Sequence, residues 1–172
     1  MKTRNAFQLE DVFVQFIREQ KKRFYLLAYS YTKNEQDALD IVQDSIQKAM
    51  VSLDRLENVE YMKSWFYKIV VRTAIDFLRK HKRLQMTGDD TLLYLTPAQE
   101  DIYKNVDLEQ ALDELPQIYR EVVILHYFED LKLTDVAHIL NIKLSTAKSR
   151  LYKALKLLRI QLQDVEGETA HG

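Results

Sequence analysis

The residues that interrupt helices are almost absent from this sequence. It holds 3 glycines and 2 prolines among 172 residues, and none of these five lies in the first 87 residues. Glycine and proline are the strongest local interruptions of regular structure, and tight hairpins depend on glycine. Because the chain is instead rich in Leu, Lys, Glu, Gln and Ala, which favour helices, it predicts an all-α fold.

Two of the five breakers mark an interruption in the middle of the chain. Gly88 and Pro97 lie in a stretch, residues 84–105, that has no helical period. A structureless stretch of this length is unusual inside a compact domain. We therefore predict two small helical domains, residues 8–83 and 106–165, joined by a flexible acidic linker at residues 84–105, with a helix-turn-helix in the second domain.

Apolar residues recur at helical spacing in seven segments. The predicted helices are residues 9–31, 35–53, 60–81, 105–115, 116–128, 134–140 and 144–162, with a loop at 54–59. Asn34 and Thr134 are expected to cap the helices that follow them, and Asn141 is expected to adopt a left-handed turn. Ile118 is expected to be buried, since it lies on the apolar side of its helix.

The net charge of −1 conceals a strong segregation of charge. Residues 61–83 and residues 132–160 each carry seven basic and one acidic side chain, a net charge of +6, whereas residues 35–60 carry −5 and residues 84–131 carry −9. Basic blocks of this kind indicate surfaces for a polyanion that the overall charge does not reveal. Near-neutrality further predicts that the free protein binds random duplex DNA weakly.

The second basic block has the spacing of a helix-turn-helix. A short helix with the small residue Ala137 at its packing point is followed by Asn141 and by a helix whose apolar side is Leu144, Ala147 and Leu151. The outer side of that helix predicts DNA contacts through hydroxyl and basic groups. These candidate residues are Ser145, Thr146, Lys148, Ser149, Arg150 and Lys153. The alternative is an ordinary amphipathic helix pair in a small bundle.

The first basic block mixes cations with aromatic rings. Tyr61, Trp65, Phe66 and Tyr67 alternate with Lys63, Lys68 and Arg72. Stacking platforms beside a cationic track are what single-stranded nucleic acid requires. The alternative is that Trp65 and Phe66 belong to the core, and the spacing leaves both interpretations open.

Catalysis and cofactor binding find little support in the sequence. There is no cysteine, and the four histidines are scattered without the spacing of metal ligands. Asp37, Asp40 and Asp44 share one helix face, but without a histidine partner this face is better interpreted as solvated or as a protein-docking surface. We expect no metal, no cofactor and no small-molecule substrate. No apolar run can span a bilayer and no signal peptide is evident, so we expect a cytoplasmic protein.

Several motifs together resemble the ECF (extracytoplasmic function) class of bacterial sigma factors. They are residues 37–44 (DALDIVQD), 63–69 (KSWFYKI), 74–80 (AIDFLRK), 111–116 (ALDELP) and 146–151 (TAKSRL). The resemblance extends from residue 16 to residue 162. Residues 63–68 and 74–80 further resemble the sigma-V-type envelope-stress factors of Gram-positive bacteria.

This resemblance implies a promoter-specificity subunit without catalytic residues. It would direct core RNA polymerase to promoters and aid DNA melting, under control of an anti-sigma factor that is usually membrane-bound and could hold the protein at the membrane. The implied polymerase contacts are Asp37, Asp40, Ile41, Gln43 and Asp44. The implied contacts to the minus-ten element are Tyr61, Lys63, Trp65, Lys68, Arg72, Arg79 and Lys80. The DNA contacts predicted after Leu144 would read the minus-thirty-five element.

The sequence departs from the family at two points. Val71 and Arg72 stand where the family often has Arg-Asn, and residues 145–147 (STA) stand where it usually has Gly-Thr-Val. Two other function classes remain for comparison. A repressor that uses only the helix-turn-helix would leave the basic aromatic helix unexplained, and a helical enzyme lacks any recognisable catalytic set.

Overall fold

The computed structural model describes residues 2–87 and 106–169, with side chains at 5–84 and 108–161. These residues belong to two compact units, and the names N-terminal unit and C-terminal unit refer to residues 2–87 and residues 106–169. The described part of the chain is helical and contains no strand, which confirms the predicted fold class. Most of the predicted linker lies outside the described residues, but helix α3 continues through Thr87 and so occupies the first four positions assigned to that linker.

Three helices build the N-terminal unit. They are α1 (Lys2–Thr32), α2 (Glu35–Ser52) and α3 (Met62–Thr87). Each of the three packs against the other two. The segment predicted as a loop between α2 and α3 contains two 3₁₀ turns, Leu53–Arg55 and Val59–Tyr61. Helix α1 begins seven residues before the predicted start, because polar residues near its N-terminus weaken the apolar period without breaking the helix.

The junction between α1 and α2 is a tight turn. Lys33 has a φ of 54°, in the left-handed region, and reverses the chain direction. Asn34 then accepts a hydrogen bond through its side chain from the backbone N–H of Asp37, with an N···O distance of 2.9 Å. The predicted N-cap is thereby confirmed, and it satisfies one of the amides that a helix start leaves without an intrahelical partner.

Aromatic rings fill the core of the N-terminal unit. Phe13, Phe24 and Phe66 are buried, and the Phe66 ring lies edge-on to the other two with centroids 5.5 and 4.7 Å away. Tyr67 is also fully buried and meets Phe24 at 5.3 Å. Such edge-to-face pairs are favoured by the ring quadrupoles and add to the free energy of burial. The core interpretation therefore holds for Phe66.

Four α-helices and one π-helical turn build the C-terminal unit. The α-helices are α4 (Val106–Glu114), α5 (Gln117–Val123), α6 (Leu133–Leu140) and α7 (Leu144–Thr169), and the π turn Ile124–Phe128 extends α5. Asn141 has φ 54° and ψ 46°, which confirms the predicted left-handed turn. Thr134 was the wrong cap: α6 begins at Leu133, and its N-cap is Lys132, whose side chain makes no capping bond.

Small aliphatic residues and one buried cation hold this unit together. Ala111, Leu115, Val123, Ala154 and Leu158 form a buried cluster.

The prediction for Ile118 was wrong, since its side chain is 45% exposed. Ile118 lies in the first turn of α5, one turn before the fully buried Val122, so apolar spacing along this helix did not by itself determine burial.

Arg120 fastens the end of α4 to α5. Its Nε and Nη2 atoms donate to the carbonyl oxygens of Leu112, Asp113 and Leu115 at 2.9, 2.8 and 2.7 Å. These carbonyls lie at the C-terminus of α4, where helix acceptors lack intrahelical partners. Burial lowers the pKa of Arg120, and the charge of Asp113 acts in the opposite direction.

Candidate nucleic-acid interfaces

A basic aromatic stripe runs along one face of α3. Five of the residues predicted to contact the minus-ten element are Tyr61, Trp65, Lys68, Arg72 and Arg79, which stand at relative positions 0, 4, 7, 11 and 18. With 3.6 residues per turn, these positions fall on one face of a helix. The structure places four of these residues on one face of α3 and Tyr61 in the 3₁₀ turn that immediately precedes it, and we call all five the α3 stripe.

The aromatic end of the α3 stripe passes from core to surface. Trp65 is half-buried, and its ring meets the core residue Phe13 edge-on with centroids 6.1 Å apart. Tyr61, one turn earlier, is 64% exposed. One ring is thus held rigidly by the core while the other is presented to solvent, an arrangement that offers a stacking surface for a base.

The cationic end of the stripe continues for three further turns. Arg72 and Arg79 are exposed, and Lys68 is partly buried. Burial, and then the charge of Arg72, lower the pKa of Lys68. An anion placed against the stripe would relieve both effects, because it would offset the repulsion and replace lost solvation.

Two predicted residues lie outside this stripe. Lys63 and Lys80 stand on other faces of α3, since neither position matches the spacing of the five stripe residues. Lys80 is exposed and Lys63 is partly buried. The structure does not group either residue with Trp65 and Arg72.

The acidic residues of α2 form a row along its flank that approaches α3. Lys48 Nζ lies 3.1 Å from Asp44 Oδ2 and donates to Thr73 Oγ1 of α3 at 3.3 Å. Burial raises the pKa of Asp37; the charge of His81, on α3, opposes this and that of Asp40 adds to it. The two helices are therefore linked through polar groups along this flank.

The remaining residues predicted to contact the polymerase do not share that flank. Ile41 is only 1% exposed and packs in the core, so it supports α2 and presents no surface to a partner here. Gln43 is exposed on another side of the helix, together with the exposed apolar residues Leu39 and Met50. Sequence reasoning missed these two, although an exposed apolar pair at positions 39 and 50 beside polar Gln43 is typical of a docking surface.

The helix-turn-helix consists of α6 and α7. Ala137 in α6 and Ala147 in α7 are buried, and their small side chains let the helices approach closely. Ser145, Lys148 and Ser149 are exposed on α7, and Thr146 is partly buried at its first turn. This places hydroxyl groups at the helix N-terminus and a cation on the outer face, as the sequence predicted.

Two cations of α7 also interact with α5. Arg150 Nη1 lies 3.6 Å from Glu121 Oε1, and the Arg150 side chain is only 25% exposed. Lys153 is exposed, with its Nζ 5.5 Å from the centroid of the Tyr119 ring. The structure thus sets Arg150 apart from the outer face and makes it a link between α5 and α7, whereas Lys153 remains accessible.

Sequence reasoning missed one aromatic residue on the outer face of α7. Tyr152 is 75% exposed, and it follows Lys148 by four positions and Ser149 by three. Those spacings place it on the same face as both residues. The signal was present in the sequence, because an aromatic residue between basic residues on a polar face has no core to fill.

Neither a metal site nor a membrane span emerges from the described residues. Within residues 2–87 and 106–169, no three His, Asp or Glu side chains are grouped so as to hold a metal ion. In the same ranges, no helix is long and apolar enough to cross a bilayer.

Comparison with known proteins gives a consistent result. Residues 16–84 match the model of Sigma-70 region 2, and residues 105–158 match that of Sigma-70, region 4. The chain is 55% identical over 149 residues to the RNA polymerase sigma factor SigV of Bacillus subtilis, covering 87% of this chain and 90% of that protein. It is 30% identical over 141 residues to the ECF sigma factor SigM of the same species, covering 78% and 85%.

The fold agrees with that of a solved complex. The structure is similar to the sigma factor RpoE, solved with the anti-sigma factor NepR from Bartonella quintana, with a TM-score of 0.71. The two sequences are 26% identical, and the match covers 87% of this chain and 97% of the other. The α3 stripe lies in the segment that matches region 2, and α7 lies largely in the segment that matches region 4.

Proposed function

The chain belongs to the ECF class of RNA polymerase sigma factors, which direct core RNA polymerase to promoters, and we propose a division of this task among three of its helices. Helix α2 binds the polymerase, the α3 stripe binds the minus-ten element, and α7 binds the minus-thirty-five element. The observation that supports this most directly is that each matched sigma region carries one exposed basic face, on α3 and on α7.

The polymerase-binding surface combines charge with apolar area. Asp37, Asp40 and Asp44 supply carboxylates on one flank of α2, and Gln43 stands beside Leu39 on another. Apolar side chains at the centre of an interface supply most of the affinity, whereas charges at the rim guide the encounter. Ile41 supports this surface indirectly, because its buried side chain packs α2 against the rest of the unit.

The α3 stripe is suited to DNA that is being opened. Tyr61 and Trp65 offer rings to unstacked bases, and Lys68, Arg72 and Arg79 follow the backbone of the strand. Stacking on an aromatic side chain contributes about 1–3 kcal/mol per base. This offsets part of the few kcal/mol that unpairing a base costs, so the stripe favours the melted form over the duplex.

The outer face of α7 is suited to intact duplex. A helix fits the major groove, where Ser145 and Ser149 reach backbone and base edges while Lys148 and Lys153 pair with phosphates or guanines. Tyr152 adds an apolar contact to this face. Arg150 positions α7 through Glu121 and is not assigned to the DNA surface.

Regulation by an anti-sigma factor follows from the likeness to the complexed relative. The RpoE structure contains an anti-sigma factor, and we propose that this chain is held inactive by a comparable protein. A membrane-bound partner of this kind would retain the sigma factor at the membrane until an envelope-stress signal releases it. With no cysteine in the chain, a thiol of its own cannot receive that signal.

Run-off transcription tests the whole assignment. The purified full-length protein is added to Bacillus subtilis core RNA polymerase with a genomic template from that species. We expect discrete transcripts that require both the core enzyme and this protein. Specific DNA binding by the free protein without any transcripts would instead indicate a repressor that uses only the helix-turn-helix.

Matched variants separate the polymerase surface of α2 from the DNA surface of α7. Asp40→Asn with Leu39→Ala should weaken binding to core polymerase and leave helicity unchanged. Lys148→Ala with Ser149→Ala should reduce transcription from promoters with a minus-thirty-five element, while core binding is retained. Glu10→Gln, an exposed change on α1, serves as the control for both. Loss of core binding in the α7 variant would contradict the division of tasks.

A further inference from the structure

One carboxylate stands inside the basic stripe of α3. Asp76 follows Arg72 by four positions and precedes Arg79 by three, so it lies on the same face as both. Its side chain is 60% exposed, and Oδ1 lies 4.0 Å from Arg79 Nη1. No prediction above gives this residue a role, although it occupies the middle of the surface proposed to meet DNA.

Electrostatics makes this position unfavourable for general DNA binding. A carboxylate that faces a phosphate backbone repels it, and it cancels part of the cationic field that Arg72 and Arg79 create. The pair with Arg79 does not account for the residue through stability, because exposed ion pairs of this kind contribute about 0–1 kcal/mol. A contribution that offsets the repulsion must therefore come from elsewhere.

Base recognition supplies such a contribution. An ionised carboxylate can only accept hydrogen bonds. Asp76 lies beyond the aromatic end of the stripe, where we expect bases that are still paired to present their major-groove edges. On that edge cytosine presents an amino group at N4 with no acceptor from the same base beside it, while adenine presents its amino group next to the N7 acceptor, which repels a carboxylate. We propose that Asp76 is a specificity-determining residue that accepts a hydrogen bond from the N4 amino group of a cytosine in the minus-ten element.

Arg79 has a supporting part in this arrangement. Its guanidinium lies beside the carboxylate on the side toward the C-terminus of α3, and it restrains Asp76 on the exposed face. The remaining donors of Arg79 can bind a phosphate next to the recognised base. The charge of Asp76 thus has two effects: it attracts the amino group of the recognised base, which raises discrimination between sequences, and it repels phosphates, which lowers the affinity for unrelated DNA.

This inference rests on the proposed function, and its test uses the complete holoenzyme. A promoter obtained by run-off transcription is randomised across its minus-ten element, and the sequences retained in open complexes are counted. The wild-type protein should enrich cytosine at one position at least about fivefold, the lower end of what a good base contact provides. The variants Asp76→Ala and Asp76→Asn are compared with Glu10→Gln, which should match the wild type.

The two variants have different expected results. Asp76→Ala should lose the cytosine preference. It should also bind promoterless DNA more tightly, and the slope of log affinity against log salt concentration should become steeper by up to about one unit, the value of one additional phosphate contact. Asp76→Asn should shift the preference toward adenine, which pairs with an amide. A purely intrahelical role for the Arg79 pair would leave the base preference unchanged in both variants, although loss of the charge would still tighten binding to promoterless DNA.

Each outcome decides one question. If Asp76→Ala keeps the wild-type preference at every randomised position, the assignment of Asp76 is wrong while the sigma function stands. If the wild-type holoenzyme itself shows no preference in the library, the proposed role of the α3 stripe fails, and the inference about Asp76 fails with it. Circular dichroism of each variant confirms that the helices are intact.

Discussion

The two units place their proposed DNA surfaces differently with respect to their cores. In the N-terminal unit, the aromatic core reaches the surface directly, since Trp65 of the α3 stripe packs edge-on against the buried Phe13. In the C-terminal unit, the outer face of α7 is separate from its inner face, on which the small residues Ala147 and Ala154 are buried. Function and stability are therefore coupled in the first unit and largely independent in the second.

This difference follows from what each surface must bind. Rings that stack on unpaired bases must be large and rigid, and packing against a core provides that rigidity. A helix that enters a major groove needs only an exposed face of hydroxyl and basic groups. Substitutions that affect one unit and not the other test this difference between the units.

Truncating the centre of the aromatic core should have the largest effect. Phe66→Ala removes a fully buried ring that contacts Phe13, Phe16 and Phe24, and we expect a loss of about 3–5 kcal/mol in the free energy of unfolding. Trp65 is the single tryptophan of the chain and reports on this unit alone. Denaturant unfolding followed by its fluorescence measures the loss.

An exposed ring of the same type provides the control for Phe66. Phe7→Ala, on the exposed part of α1, should change the free energy of unfolding by no more than about 0.5 kcal/mol. Transcription by Phe66→Ala should fail together with the fold. Wild-type transcription by a Phe66→Ala protein that has lost this stability would contradict the coupling of function to the aromatic core.

Removing the buried cation should have the next largest effect, confined to the C-terminal unit. Arg120→Ala removes a side-chain donor from three carbonyl oxygens at the end of α4, of which that of Leu112 keeps the backbone N–H of Leu115, and we expect a loss of about 2–3 kcal/mol. Far-ultraviolet circular dichroism during unfolding measures the loss. Arg120→Lys, which keeps the charge but lacks the planar fork, should recover only part of it.

The fluorescence transition of Trp65 is the internal control for Arg120. Its midpoint should not move in Arg120→Ala, because the residue belongs to the other unit. A shift of that midpoint would show that the two units unfold together.

The sequence predicted most of this architecture from local rules. The absence of breakers predicted helices, and side-chain chemistry correctly predicted the Asn34 cap and the Asn141 turn. The π turn after α5 was not predicted, and Ile118, in the first turn of α5, was wrongly placed in the core. A change in helical phase depends on tertiary packing, which overrides the local pattern.

The candidate sites were predictable in composition but less so in orientation. The sequence indicated that aromatic rings and cations are mixed in the first basic block, without indicating which of them share a face. It did not reveal that Arg150 pairs with Glu121 across two helices, because such a contact joins residues that are distant in the sequence. The functional roles of all these side chains stay predictions until the variants are measured.

Two exposed tyrosines permit a direct comparison of the proposed DNA surfaces. Tyr61→Ala should slow promoter opening, by up to the factor that corresponds to about 1–3 kcal/mol for a lost stacking contact. Tyr152→Ala should weaken binding to closed duplex by a smaller amount and leave the opening rate unchanged. Permanganate footprinting of unpaired thymines measures opening, and gel shifts of the holoenzyme on duplex measure the second effect.

Phenylalanine variants are the matched controls for these tyrosines. Tyr61→Phe and Tyr152→Phe keep the ring, so each should retain most of the wild-type behaviour if stacking or apolar contact is the cause. If Tyr61→Ala instead weakened duplex binding and Tyr152→Ala slowed promoter opening, the assignment of the two surfaces would have to be reversed.

The smallest expected effect concerns the turn between α1 and α2. Asn34→Ala removes the side-chain acceptor of the Asp37 amide and should cost about 1 kcal/mol of stability. Asn34→Ser should restore most of it. The tryptophan fluorescence of Trp65 measures both changes, and an unaffected Asn34→Ala protein would show that α2 is held by packing alone.

The scarcity of glycine has a consequence for how the protein can be altered. Lys33 and Asp130 both adopt left-handed conformations, with φ of 54° and 53°, although each carries a Cβ that disfavours them. Glycine would relieve that clash, and Asp130 is the better site of the two, because replacing Lys33 would also remove the contact of its Nζ with the Tyr29 ring, 5.9 Å from the ring centroid. Variants stabilised there would be robust backgrounds, able to tolerate the more damaging substitutions needed to retarget the DNA-binding helices to new promoters.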